Sequence, residues 1–169
     1  MEEIEVPTEH LHEAIHEKAE EAKHPAEKKW SMAVAISTAI MAVFAAISGL
    51  MAGDYSNQAL IQQIKSSDQW AYYQAKGIKA EIASAQPNGT QAAAKYKQEQ
   101  ETIKKDAEAA AKESEIHLAK HEILSKAVTL FQVSIAISAI SILSQKKFLW
   151  FGGVGLTLIG IGFFVAGLL

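Results

Sequence analysis

The sequence predicts an all-α membrane protein with three transmembrane helices and a long extramembrane antiparallel helical hairpin that resembles a coiled coil. Three apolar stretches of about 20 residues are the first observation, because a helix of that length crosses a hydrocarbon core and satisfies its own backbone hydrogen bonds there. A charged insert with heptad spacing and one central turn signal is the second. The stretches cover residues 30–53, 127–144 and 148–169, and the insert covers residues 54–126.

Residues 1–29 form an acidic tail, with nine Glu against four Lys. Residues 12–16 spell H-E-x-x-H, which on a helix places His12 and His16 on one face as possible zinc ligands. The tail also has the periodicity of an amphipathic helix. We therefore interpret it as a solvated helix or a weak docking helix, with His12 and His16 kept only as metal candidates.

The first apolar stretch carries a stripe of small residues with alternating spacings of three and four. Such a stripe lets helix backbones approach closely in lipid, where packing replaces the hydrophobic drive. We interpret it as packing against the second span, with a subunit interface as the alternative. Its members are Ala35, Ala39, Ala42, Ala46 and Gly49.

The insert is predicted to fold as two helical arms, residues 56–85 and 90–124, around a turn at residues 86–90. Pro87, Asn88 and Gly89 supply the turn, and Thr90 suits the N-cap of the next helix. The first arm's predicted seam is Ile61, Ile64, Ala71, Ala75, Ile78, Ile82 and Ala85. The second arm's predicted seam is Tyr96, Gln100, Ile103, Ala107, Ala110, Ser114, His117, His121 and Leu124.

An Ala- and Ser-rich seam buries little apolar area, so one hairpin alone would be marginally stable. The sequence therefore predicts that copies of the hairpin pack together in a homo-oligomer.

Several residues of the arms are candidates for interaction. Asp68 interrupts the predicted seam and is expected to pair with Lys104 and fix the register. The remaining candidates, aromatic residues and a lysine within cation–π reach, are expected to pack between protomers, with a separate partner or a ligand as alternatives. They are Trp70, Tyr72, Tyr73 and Lys76.

His117 and His121 form a second i, i+4 pair. Folding the arms about the turn predicts that His121 lies opposite Asp54, where a His–carboxylate contact could titrate near neutral pH or hold a metal. A structural hydrogen-bonded cluster is the preferred interpretation.

The second apolar stretch is predicted to continue the second arm, because no Gly or Pro occurs from Thr90 through Phe151. Ser134, Ser138 and Ser141 form a polar stripe along it. We interpret the stripe as packing against the first span, and alternatively as the lining of a path around an oligomer axis.

Orientation is read from lysines near the ends of the spans. Lys28 and Lys29 precede the first span, and Lys146 and Lys147 lie between the second and third. Both pairs are expected on the cytoplasmic side, with the hairpin and the C-terminus outside. Trp30 and Trp150 lie beside these two edges, as interfacial aromatic residues do.

Composition excludes several classes of function. All 16 cationic side chains are Lys, so the bidentate phosphate fork of Arg is missing, and there is no Cys for thiolate chemistry. The net charge of −3 gives no basic balance for nucleic acid. We therefore expect no catalytic residues, no cofactor and no nucleic-acid partner. The expected partners are membrane lipid, further copies of the chain and an envelope protein.

Three strings of residues resemble a known family. Residues 54–60 read D-Y-S-N-Q-A-L, residues 68–76 read D-Q-W-A-Y-Y-Q-A-K, and residues 130–133 read L-F-Q-V. In these strings, and in the K-K-F-L-W step at residues 146–150, the chain is similar to a family of small bacterial inner-membrane proteins, the domain of unknown function 4337. The resemblance implies a multi-pass protein of the bacterial cytoplasmic membrane with three spans, and it brings no catalytic residues.

The expected function is that of a non-enzymatic oligomeric scaffold or interaction stalk in the bacterial cell envelope. The alternative is a pore-forming or transport-accessory protein with the serine-lined path. No charged residue lies within a span, so coupled ion transport lacks its usual mark.

Overall fold

A computed structural model describes residues 25–169 of the chain, with side chains from Lys28 onward. These residues form three α-helices, α1 (Pro25–Ser84), α2 (Thr90–Ser144) and α3 (Lys147–Leu168). All three are long and apolar enough to cross a membrane. The all-helical prediction is confirmed, and the helices indicate a membrane protein. His12 and His16 lie outside the described residues, so their metal candidacy stays a prediction.

A tight turn joins α1 to α2. The Gln86 amide donates to the Ala83 carbonyl oxygen at 3.1 Å, and the Gly89 amide donates to the Gln86 carbonyl oxygen at 3.1 Å. A Cβ on Gly89 would lie 1.6 Å from the Ala83 carbonyl oxygen, so only glycine fits. The Gly89 carbonyl accepts the Ala93 amide, which places Gly89 in the capping position. The prediction of Thr90 as N-cap is therefore wrong by one residue.

A second tight turn joins α2 to α3. Gln145 has a left-handed φ of 56°. Its amide donates to the Ile142 carbonyl oxygen, and the Lys146 amide donates to the Ser141 carbonyl oxygen, each at 3.2 Å. This bonding is the Schellman motif, and it satisfies two of the carbonyls that every helix end leaves free. The motif allows α3 to begin at Lys147.

The chain divides into two compact units. Among the described residues, those up to Gly53 together with Lys120–Leu169 form the span unit, and Asp54–Ala119 form the arm unit.

In the span unit, α1 buries one face whose positions recur at spacings of three and four. The predicted small-residue stripe lies one residue further along, about 100° around the helix. Ala35 is buried, but Ala39, Ala42 and Gly49 are half-buried and Ala46 is exposed, so the predicted stripe is not the packing face. The buried positions are Ser31, Val34, Thr38, Met41, Ala45, Ser48 and Ala52.

The Thr38 and Ser48 hydroxyl groups on this buried face are satisfied within the helix. Thr38 Oγ1 donates to the Val34 carbonyl oxygen at 3.0 Å, and Ser48 Oγ donates to the Phe44 carbonyl oxygen at 2.7 Å. Internal bonding removes the cost of burying a hydroxyl in an apolar interior. Small side-chain size alone therefore does not identify the packing face of α1.

Helix α3 packs on α2 through glycines. A Cβ on Gly153 would lie 3.0 Å from Ser138 Oγ, and one on Gly160 would lie 3.0 Å from the Phe131 ring. Phe131 is fully buried and stacks on Phe44, with ring centroids 5.8 Å apart. The absent side chains thus let α3 approach an aromatic core.

In the arm unit, serine hydroxyls bridge the antiparallel helices. Ser66 Oγ donates to the Ala107 carbonyl oxygen at 3.0 Å, and Ser114 Oγ donates to the Ala59 carbonyl oxygen at 2.8 Å. Such bonds require the backbones to lie close together, which small residues permit. These two bonds set the register of the arms.

The predicted seam of the first arm is wrong. Ile61, Ile64, Ala71, Ala75, Ile78, Ile82 and Ala85 are all exposed. The positions that face α2 lie two residues away, about 200° around the helix, because serine bonding and close packing favour small residues over isoleucine. They are Ala59, Gln62, Ser66, Gln69, Tyr73, Lys76, Ala80 and Ala83. On α2, all nine predicted seam residues are buried or half-buried.

Candidate interaction surface

The exposed side of α1 in the arm unit carries an apolar stripe that one charged residue interrupts. We call this stripe the isoleucine face, and it consists of Ile61, Ile64, Asp68, Ala71, Ala75, Ile78 and Ile82. Its four isoleucines are 58–62% exposed. The positions keep the three-four spacing of a coiled-coil seam. The arm therefore has two seams on opposite sides, and α2 covers only one of them.

Asp68 lies in the middle of the isoleucine face. It is exposed, and no ion pair among the described residues includes it. The predicted contact with Lys104 is wrong, because Asp68 lies on the side of α1 that faces away from α2. Instead, Lys104 Nζ lies 4.0 Å from Oε1 of Glu108 on the same helix.

Lys76 is the centre of a polar cluster between the arms. Its ammonium binds the Glu99 carboxylate and lies 5.3 Å from the ring centroids of both Tyr72 and Tyr96. The hydrogen bond to Glu99, and then that to Tyr72, raises the pKa of Lys76. The same bond to Lys76 lowers the pKa of Glu99. Both groups are thus held in their charged forms.

The predicted aromatic residues lie beside this cluster. Trp70 and Tyr73 meet edge to face, with centroids 5.4 Å apart. The Tyr73 carbonyl oxygen accepts the side-chain amide of Gln100 at 3.2 Å, so this residue belongs to the contact with α2. Trp70 is 36% and Tyr72 48% exposed, which leaves both rings partly available to another chain.

Sequence reasoning missed Glu99 and did not group Tyr96 with Lys76. The missing information was which face of α1 meets α2, because the predicted seam of the first arm leaves Lys76 off the contact. Small residues at Ala59, Ser66 and Ala80, separated by multiples of seven, were the available signal.

The two histidines make different contacts. The His117 ring stacks on Tyr55 at 5.9 Å, and its Nδ1 is buried without a hydrogen-bond partner among the described residues. His121 Nδ1 donates to the Ala52 carbonyl oxygen at 2.8 Å. Asp54 accepts the side-chain amide of Gln58, and the predicted contact between His121 and Asp54 stays a prediction. In the described part of the chain no three His, Asp or Glu side chains converge as metal ligands.

Ser134, Ser138 and Ser141 are fully buried within one chain. Ser134 donates to the Leu130 carbonyl oxygen at 2.7 Å, Ser138 to that of Ser134 at 2.8 Å, and Ser141 to that of Lys146 at 3.2 Å. The hydroxyls are satisfied inside the protomer. They therefore do not line a path on its outer surface, as the pore alternative requires.

Comparison with known proteins identifies a family. Residues 30–169 match the family described as domain of unknown function 4337. Searches of curated proteins and of solved structures found no match to the chain. The family match extends over all three helices from Trp30 onward, and it confirms the resemblance seen in the sequence. The chain belongs to the family of this domain of unknown function.

Proposed function

We propose that the chain is a non-enzymatic, oligomeric scaffold or interaction stalk of the bacterial cytoplasmic membrane, with the tail in the cytoplasm and the hairpin and C-terminus in the periplasm. The lysine pair that precedes the first span and the lysine pair between the second and third spans support this orientation. Within the span unit, Lys147 Nζ lies 5.9 Å from the Trp30 ring, and Trp150 Nε1 donates to Ser37 Oγ at 3.1 Å. Both lysine pairs thus belong to one edge of the unit.

The isoleucine face is the observation that supports an oligomer. Burying an isoleucine fully is worth about 1.5–3 kcal/mol, so four that are about 60% exposed represent about 4–7 kcal/mol per chain. Contiguous exposed apolar surface of this kind marks interaction sites.

A second copy of the chain is the partner that fits this face. The heptad spacing suits a parallel helix of the same kind, and copies inserted in one membrane share one orientation and one height. Confinement to the membrane also raises their effective concentration. The isoleucine face then joins helices of different chains, as the serine-bonded seam joins α1 and α2 within one chain. An envelope protein is the further partner that the partly exposed Trp70 and Tyr72 rings would contact.

Native mass spectrometry of the full-length protein in mild detergent tests the proposal. The wild type should appear as an oligomer, and the double variant Ile64→Gln, Ile78→Gln should shift to monomer. Ile116→Gln, Leu118→Gln is the matched control, because both residues are exposed in the arm unit but lie off the isoleucine face. A wild-type monomer, or equal loss of oligomer in both double variants, would contradict the proposal.

A further inference from the structure

The span unit contains an open groove that is polar at one end and apolar at the other. Its volume is about 540 Å³, and it is lined by consecutive turns of α2 and by one aromatic residue of α3. His121, Glu122, Ser125 and Lys126 form the polar end, and Leu130 and Phe163 form the apolar end.

The groove's polar end lies where the apolar α3 finishes. Helix α3 ends at Leu168, and a Cβ on Gly167 would lie 2.7 Å from Leu124. Residues 121–126 are therefore level with the end of a membrane-spanning helix, at the headgroup boundary. The Leu130 end is deeper by about 6 Å, since four residues of helix separate it from Lys126.

Along α2 the side chains follow a fixed chemical order. Glu122, a negatively charged hydrogen-bond acceptor, is outermost. Lys126, a positively charged donor, lies one turn deeper, and the apolar Leu130 lies one turn deeper again. No ion pair among the described residues includes Glu122 or Lys126. The groove thus presents two unpaired opposite charges above an apolar floor.

We propose that this groove binds a glycerophospholipid with an ethanolamine headgroup. From water inward, such a lipid has an ammonium, a phosphate and then acyl chains, which is the order that Glu122, Lys126 and Leu130 complement. Glu122 and Lys126 are i, i+4 neighbours, about 5–6 Å apart at Cβ, a separation that the two charges of phosphoethanolamine can bridge.

Two further side chains complete the site. His121 Nδ1 donates to the Ala52 carbonyl oxygen, and in the neutral form of the ring the other nitrogen, Nε2, can accept an ammonium N–H. The Ser125 hydroxyl lines the groove beside Lys126 and can donate to the phosphate. Phe163 and Leu130 contact the first part of an acyl chain.

The same chemistry distinguishes among common headgroups. A choline headgroup has the same charges but no N–H, so it cannot donate to Glu122 or to His121. A glycerol headgroup leaves the phosphate's charge next to Glu122 with no ammonium between them. Charge-assisted hydrogen bonds of this kind contribute enough for a preference of about tenfold.

Native mass spectrometry of the delipidated full-length protein tests the site, with phosphatidylethanolamine, phosphatidylcholine and phosphatidylglycerol titrated separately. We expect ethanolamine lipid to bind about tenfold more tightly than the other two. Glu122→Gln should abolish that preference, and Lys126→Gln should weaken the binding of all three lipids. Lys112→Gln and Glu113→Gln, which change exposed charges in the arm unit, serve as controls and should bind like the wild type.

The wild-type comparison decides the proposal even if a variant fails to fold. Equal binding of the three lipids, or tighter binding of phosphatidylglycerol, would overturn it. So would an unchanged ethanolamine preference in a folded Glu122→Gln variant, with folding checked by circular dichroism. These outcomes do not depend on whether copies of the chain associate.

Discussion

Replacing Gly89 by alanine should open the turn between the arms. The new Cβ would lie 1.6 Å from the Ala83 carbonyl oxygen, a backbone atom that no side-chain rotation can move. The turn must therefore shift. Two amide hydrogen bonds, from Gln86 and from Gly89, depend on its present geometry.

The magnitude follows from what the shift breaks. Each turn hydrogen bond contributes about 1 kcal/mol, and a strained backbone that retains them costs about 1–3 kcal/mol. We expect the free energy of local opening around the turn to fall by about 1–3 kcal/mol. Exchange of the amides between residues 78 and 98 should then be roughly 5- to 140-fold faster, or reach the unprotected rate where the wild-type free energy is smaller.

Hydrogen–deuterium exchange of the full-length protein in detergent, read by peptide mass, measures this change. Gly53→Ala is the matched control, since a Cβ there meets nothing within 4 Å and the position is helical and exposed. That substitution should slow local exchange, because alanine favours a helix over glycine by about 0.5–1 kcal/mol. Unchanged protection in Gly89→Ala would refute the reasoning about the turn.

Three further predictions concern packing and charge. Ser66→Ala should destabilise the arm unit by about 1 kcal/mol through loss of its cross-arm hydrogen bond, measured by hydrogen exchange, whereas the exposed Ser67→Ala should have no effect. Gly160→Leu should lower the melting temperature in detergent because its Cβ would press on a buried aromatic ring, and Gly162→Leu, with open space around it, should not. Lys76 lowers the pKa of Glu99 below its usual value of 4.5 in the folded chain. The ion pair therefore stabilises the folded arms fully at pH values above 4.5, and this stabilisation is lost as the pH falls through the lowered pKa. The protection factors of the arm amides, which compare observed exchange with the intrinsic rate at each pH, should therefore fall in acid in the wild type, and Glu99→Gln should reduce that fall.

Composition and breaker residues were sufficient to predict the helices. The apolar stretches and the uninterrupted run after Thr90 account for α2, and the turn residues before it account for the end of α1. These features are local, since each depends on the residues of one segment. Local patterns therefore determine where the helices begin and end.

The face of each helix was harder to predict, because it depends on a partner. On α2 the most apolar heptad positions also face α1, so the predicted seam is buried. On α1 the isoleucines place the predicted hydrophobic seam on one side of the helix. Ser66 and the alanines near it make the closer contacts with α2 on the other side. An isoleucine at those positions would keep the backbones too far apart for the serine bonds. Hydrophobicity therefore identified the face that no other described residue covers.

The candidate site was predicted in composition but not in arrangement. Tyr72 and Lys76 do lie together, and Glu99 joins them because Lys76 lies on the face of α1 that meets α2, which the predicted seam left out. Asp68 was assigned to an ion pair, and it lies on the exposed side. Both errors come from the same displacement of two residues, which a sequence without a fixed cross-arm contact does not reveal.

Cysteine cross-linking in native membranes tests whether the isoleucine face joins copies of the chain. The protein has no Cys, so each single-cysteine variant reports one position. Ile64→Cys and Ile78→Cys should each form disulfide-linked dimers on mild oxidation, while Lys105→Cys, exposed on α2, should remain monomeric. Cross-linking at Lys105→Cys with none at either isoleucine position would contradict the proposed assembly.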